Sequence, residues 1–194
     1  MSSDLFSHVW GPMNPEIIFY LPTPPELPTH WQAYHPDSIT QLITLNGNHW
    51  RKIVTIMAKI CCLEHDMNAN KGISWKQIRD QLFNEPYDQK TDKPINTPSH
   101  LHCQLCIVKP NVNQSEEVVF RPESWHILCG KEVQQRMGIT EPRLYTSLDA
   151  KQKIRHQHTV LLTPYLDYRQ YSNALIELTR QHIATEKCYS INRK

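Results

Sequence analysis

Glycine is scarce in this chain: five in 194 residues, at positions 11, 47, 72, 130 and 138. The nearest two lie eight apart, so neither G-x-G-x-x-G nor G-x-x-x-x-G-K-[ST] is present. Dinucleotide-type Rossmann chemistry and P-loop phosphate chemistry are excluded together. Long apolar runs are also missing. Mean hydropathy is −0.56, and no stretch approaches the ~20 residues a bilayer crossing needs. The opening residues, MSSDLFSHVWGP, have neither a charged n-region nor an apolar h-region, so a secretory leader is not expected and a cytoplasmic location is. No G-x-S-x-G or H-E-x-x-H pattern occurs, which removes the common signatures of serine hydrolases and zinc peptidases.

Strong charge of one sign is absent as well. Twenty-one Lys+Arg face nineteen Asp+Glu, a net charge of +2, so the chain lacks the domain-wide basic footprint usual for nucleic-acid binders. One local basic run, Lys151, Lys153, Arg155, His156 and His158, reads as a solvated helix face leading into a strand. Six cysteines are present, but Cys61 and Cys62 are adjacent within a helical pattern, and reduced thiols are the expectation.

What is present has the length of one domain, 1–194, with residues 1–14 as an irregular arm and 188–194 as a tail. Four apolar runs read as strands: residues 16–21, bounded by Pro15 and Pro22; 101–108; 125–129; and 159–163, stopped by Pro164. Helical stripes lie between them. Asn48 reads as an N-cap before Trp50, Ile53, Val54, Met57, Ile60 and Cys61. Ser74 to Gln77 reads as a capping box before Ile78, Leu82 and Phe83. Gly130 opens a short helix with Val133 and Met137, and a last helix runs from about Tyr168 with Tyr171, Ala174, Leu175, Leu178 and His182 as its stripe. Residues 84–99 read as a loop, and 109–124 are readable as either helix or strand. The alternation implies an α/β domain: three layers, a four-stranded, mostly parallel central sheet and helices on both faces.

Three groups of residues have the composition of a site. His100, His102, Cys103 and Cys106 resemble zinc ligands, but strand alternation sends Cys103 and Cys106 to opposite faces, and two thiolates so placed cannot share one tetrahedral ion. Asp66 to Gln77 copies part of an EF-hand loop, yet Lys71 stands where the turn needs Gly and Gln77 where the bidentate Glu belongs. A metal is therefore not required. The third group is the set of strand C-termini, where open α/β sheets bind ligands. It holds Thr23, Gly130, Lys131 and the loop Thr163, Tyr165, Asp167, Tyr168 and Arg169. The plainer reading of that loop is turn chemistry, with Asp167 as the N-cap of the last helix.

Leu45-Asn-Gly-Asn48-His49-Trp50-Arg-Lys-Ile53 resembles the G-N-x-F-W-x-x-L segment of the uracil-DNA glycosylase superfamily, particularly its mismatch-specific branch. Trp125 to Lys131 is similar to that family's third strand closing on a Gly, and Val160 to Pro164 to the strand before its DNA-contacting loop. The resemblance implies that DNA or a nucleobase-containing ligand binds at the C-terminal edge of the sheet. Tyr165 and Tyr168 would stack on a base, Asn48, His49 and Thr163 would read its edge, and Lys131 and Arg169 would hold phosphate. The chain departs from the family after strand one. Where an Asp or Asn positions water, Leu21-Pro-Thr23-Pro-Pro25 stands, and Thr23 is the nearest candidate. A hydroxyl cannot serve as a carboxylate base at neutral pH, so base excision is expected to be weak or nil. No cofactor is implied, and a monomer is expected. The alternative is a non-enzymatic α/β domain acting through protein contacts.

Overall fold

The computed structural model describes residues 5–62, 74–84, 87–88, 93–94, 100–110 and 118–191; at 87–88, 93–94 and 187–191 it describes the backbone alone. The strands are β1 (Phe6–Trp10), β2 (Ile17–Leu21), β3 (Tyr87–Asp88), β4 (Lys93–Pro94), β5 (Cys103–Val108), β6 (Trp125–Cys129), β7 (Thr146–Ser147), β8 (Arg155–Gln157) and β9 (Val160–Thr163). The helices are α1 (Ser38–Cys61), α2 (Trp75–Asp80), α3 (Lys131–Arg136) and α4 (Asn173–Ile191).

The sheet corrects the expectation of four mostly parallel strands. It has seven, in the order β1-β5-β2-β6-β9-β8-β7, and three of its six pairings are antiparallel: β1 with β5, β8 with β9, and β7 with β8. The apolar runs legible in the sequence form the centre, where β5, β2, β6 and β9 pair in parallel. The added strands lie outside them. In β1 only Phe6 is buried while Ser7, His8 and Val9 face water, so a strand forms within the expected irregular arm without any continuous apolar signature. β7 and β8 are two and three residues long, too short for any periodicity to register.

Side chains of the central strands alternate between two cores. Ile17, Phe19 and Leu21, with Leu105, Ile107, Ile127 and Leu161, face α1, α2 and α4. Ile18, Tyr20, Cys106, Leu128 and Leu162 face the opposite way, where Val133 and Met137 of α3 and its end cover them. Cys103 belongs to the first core and Cys106 to the second, as period-two geometry requires. Five cysteines, 61, 62, 103, 106 and 129, are free thiols.

Helix α1 begins ten residues before Asn48 and breaks at Gly47, whose φ of 62° and ψ of −147° fall outside the helical region. Asn48 therefore starts the second half of a kinked helix. Trp50, Ile53, Val54, Met57, Ile60 and Cys61 are buried as their spacing predicts, and Ile39 and Leu42 bury the first half. The Ser74 backbone N–H donates to Gln77 Oε1 at 2.9 Å, the reach-back half of the capping box. β3 and β4, two residues each, pair antiparallel within the segment expected to be loop. Residues 66–73 of the EF-hand-like segment and 111–117 of the ambiguous one lie outside the described residues.

Two local expectations change. The basic run is not a helix face: the Asp149 carboxylate accepts from the backbone N–H of Lys151, Lys153 and Ile154, bending the chain into a turn that feeds β8. The last helix starts at Asn173 rather than near Tyr168, because the Asp167 carbonyl accepts from both Gln170 N and Tyr171 N and closes a turn there. Asp167 is thus no N-cap. Within α4 the buried positions are Leu175, Ile176, Thr179 and Ile183, while Ala174 is exposed. No described helix is long and apolar enough to cross a membrane.

Candidate ligand cleft at the carboxyl edge of the sheet

Numbered along the chain, the four parallel strands stand in the order second, first, third, fourth. The connection leaving β2 leads to β5 on one side, and that leaving β6 leads to β9 on the other. The direction of winding reverses between them. Helix α1, following β2, packs on one face, and α3, following β6, packs on the other. Two chains departing in opposite directions leave a crevice outside the carboxyl ends, the general ligand position in such sheets.

A cleft of about 1310 Å³ opens there. Pro22 and Thr23 after β2, Gly130 and Lys131 after β6, and Thr163 to Tyr165 after β9 form its floor and walls. Gly130 has φ 90°, which lets the chain turn directly from β6 into α3. Its N–H donates to the Thr163 carbonyl at 2.9 Å, joining the ends of β6 and β9. Gln134 Nε2 donates to the carbonyls of Leu128 (3.2 Å) and Thr163 (3.0 Å). Arg136 Nη1 donates to the carbonyls of Pro22 (2.7 Å) and Val108 (2.6 Å), and its Nη2 pairs with Glu132. α3 thereby ties together the carboxyl ends of β2, β5, β6 and β9.

One wall carries a ring pair. His49, in the first turn after the break in α1, stacks on Tyr165 with centroids 5.7 Å apart and planes 13° from parallel. The Tyr165 hydroxyl and His49 Nε2 are 3.0 Å apart. Burial is the leading cause that pushes the Tyr165 phenol up to about 12, so the phenol stays protonated at neutral pH. Cys129, at the end of β6, is also pushed up to about 12 by burial and is a neutral thiol, not a nucleophile.

The charge on the walls is lopsided. Lys131, Lys153, Arg155 and Arg169 line the cleft, and Glu132 is the one carboxylate among its lining residues. Glu132 is already matched by Arg136. Among the described residues no carboxylate forms an ion pair with Lys131, Lys153 or Arg169. The arrangement suits a ligand with several negative charges and a flat, partly apolar portion.

Of the residues singled out from sequence, Thr23, His49, Gly130, Lys131, Thr163, Tyr165 and Arg169 all line this cleft. Thr163 is buried, however, with its hydroxyl directed to the Pro164 carbonyl at 3.1 Å. Asn48, Asp167 and Tyr168 do not line it. The Asn48 amide oxygen accepts from Arg51 at 3.0 and 2.6 Å. Asp167 accepts from Lys52 Nζ at 2.9 Å and from the Arg169 N–H at 2.9 Å, and these two contacts, the backbone one foremost, hold its carboxyl below the usual range. The Tyr168 ring lies 5.0 Å from the Lys59 ammonium and packs against the first core.

Lys153 and Arg155 are the functional candidates that sequence reasoning misses. Their spacing of two is the available signal, since it puts both on one side of an extended segment, whereas a helical reading separates them.

Fold and cleft together define a mixed α/β domain with a cation-lined cleft at the winding reversal of its sheet. The chain belongs to DUF6942, a family of unknown function whose pattern matches residues 8–184. Neither curated proteins nor solved structures gave any match.

Proposed function

We propose that this protein binds an anionic, nucleobase-containing ligand in the cleft, as a distant relative of the uracil-DNA glycosylase superfamily with weak or no base-releasing activity. The observation carrying this reading is the convergence, at one winding reversal, of the His49–Tyr165 ring pair with four cationic side chains. An aromatic wall favours stacking on a base, and cations favour its phosphates. Support for the relationship lies in the segment Leu45 to Ile53, which brings His49 to the cleft. Chemistry is limited by Thr23: directly after β2 only Pro22 and Thr23 line the cleft, and the one carboxylate among its lining residues is Glu132, which Arg136 holds.

The test is calorimetric titration with nucleoside triphosphates and with uracil- and mismatch-containing oligonucleotides, followed by an abasic-site assay. Saturable binding by a member of either group is expected, weakened about tenfold or more in Tyr165→Ala, in line with roughly 1–3 kcal/mol per stacked base. Failure of every one of these ligands to bind overturns the reading in favour of a domain working through protein contacts. Rapid base release abolished by Thr23→Ala would overturn the restriction on catalysis.

A further inference from the structure

We infer that the ligand is a free nucleoside polyphosphate rather than a nucleic-acid strand, an inference that rests on the nucleobase reading and narrows it. Three observations converge on it. The first is where the positive charge lies. The chain as a whole is nearly balanced, 21 cations against 19 anions, yet the cleft walls hold four cations against one neutralised carboxylate. A protein that tracks a strand spreads cations along a surface and contacts many phosphates. In this cleft the excess is local, and it suits one compact polyanion.

The second is how those cations are mounted. Lys131 begins α3, Lys153 stands in the Asp149 turn, Arg155 is in β8 and Arg169 lies in the loop after β9. Three separate segments, one of them carrying both Lys153 and Arg155, direct positive charge at one volume, a convergence that surface solvation does not require. The Asp149 carboxylate fixes the turn through the N–H groups of Lys153 and Ile154 at 2.8 and 2.9 Å. Arg155 is braced by the Tyr145 carbonyl at 3.0 Å and by Gln152. Lys131 and Lys153 form no ion pair with a carboxylate among the described residues, so ligand phosphates would complete them. With glycine too sparse for a phosphate loop, side-chain cations take the place of backbone N–H groups as phosphate ligands.

The third is size. Pockets for drug-sized ligands run from about 300 to 1,000 Å³, and this cleft, at about 1310 Å³, exceeds that range. A lone nucleobase would leave most of it to water. A base against the His49–Tyr165 wall with a di- or triphosphate reaching toward Lys153 and Arg155 uses both its ring-bearing and its charged parts.

The experiment is a calorimetric series on the full chain at about 0.15 M salt: each of the four common ribonucleoside triphosphates, the di- and monophosphate and nucleoside of the tightest base, inorganic triphosphate, and a twelve-nucleotide single-stranded DNA of mixed sequence. Affinity is expected to climb by about tenfold per added phosphate group, in keeping with charge-assisted contacts. Inorganic triphosphate is expected to compete. Lys153→Ala and Lys131→Ala, both at exposed positions and checked for an unchanged far-ultraviolet spectrum, should each lower triphosphate affinity about tenfold and leave the nucleoside unaffected. Equal affinities for nucleoside and triphosphate would overturn this inference while leaving the nucleobase reading intact. So would DNA binding tighter than any triphosphate, with a steep salt dependence. Binding by none of these probes would overturn both.

Discussion

The Tyr20 hydroxyl and His126 Nδ1 meet at 2.8 Å inside the second core, both side chains fully buried. His126 Nε2 lies 2.9 Å from the Arg121 carbonyl. A carbonyl only accepts, so Nε2 carries the imidazole proton and Nδ1 takes the one from Tyr20. Phe120 closes over both rings, with centroids 6.4 Å from Tyr20 and 4.8 Å from His126. A charged imidazole would need an acceptor at both nitrogens, and the Tyr20 hydroxyl would then have to turn its own proton into the core.

This pair makes stability depend on pH in a defined direction. Burial is the leading cause that takes His126 down to about 4 from 6.5. Between those values the unfolded chain holds a proton that the folded one refuses, so stability falls as pH drops below 6.5 and the loss is complete near 4. The shift corresponds to about 3 kcal/mol. His182, lowered first by burial and then by His156, whose ring centroid lies 4.3 Å away, adds a slope of the same sign. Urea unfolding between pH 7.5 and 4.5 should show the decline, with His126→Phe flattening part of it. An unchanged midpoint across that range would refute the buried neutral imidazole. Tyr20→Phe leaves Nδ1 unsatisfied and should cost about 1–3 kcal/mol at pH 7.

Two glycines should respond very differently to alanine. At Gly47 an added Cβ meets nothing within 4 Å, so the cost is conformational alone, about 1–3 kcal/mol for its unusual φ and ψ. At Gly11 the same atom would lie 2.4 Å from the carbonyl oxygen of Cys103, a β5 residue held in register with Ile17 of β2. Gly47→Ala should therefore fold with a lower melting temperature, and Gly11→Ala should lose far more stability than that. Equal effects would show that space is not what separates them.

Asp167 is expected to matter for the loop and little for ligand contact. Its ion pair with Lys52 is about a fifth to a quarter exposed on either side, and such pairs contribute about 0.2–1 kcal/mol. Asp167→Ala also removes the acceptor of the Arg169 N–H and should cost more than Lys52→Met, by about 1 kcal/mol. On the proposed reading, titration with a nucleoside triphosphate should show a smaller loss of affinity than for Arg169→Ala. The reverse ranking would place Asp167 at the ligand.

Arg136 links stability to the cleft without touching its interior. Its two carbonyl contacts hold the ends of β2 and β5 beside α3. Arg136→Met keeps the stem packed but leaves the Pro22 and Val108 carbonyls without this donor, a loss of about 1.5–3 kcal/mol. Nucleotide affinity should fall as well, because Pro22 and Thr23 form one wall of the cleft. A stability loss with no change in affinity would show that this wall plays no part in binding.

Much of this protein is legible in its sequence for a simple reason. A strand buried on both faces must be apolar throughout, and a helix on a sheet must be apolar every third or fourth residue. Hence residues 17–21, 125–129 and the stripe Trp50 to Cys61 declare themselves, as does the set of turns after the strands, including Thr23, Gly130 and Tyr165. The edges are another matter. Phe6–Trp10 and the short strands at 146–147 and 155–157 are strands because a neighbour offers them hydrogen bonds, not because of an internal pattern. That pairing is what turns a four-stranded, mostly parallel reading into a seven-stranded mixed sheet. The cleft divides in the same way. Which residues come after the strands is readable, but Asn48, Asp167 and Tyr168 are lost to Arg51, Lys52 and Lys59, partners that only folding supplies. Lys153 and Arg155 reach the cleft because Asp149 bends the chain before them and β9 pairs with β8.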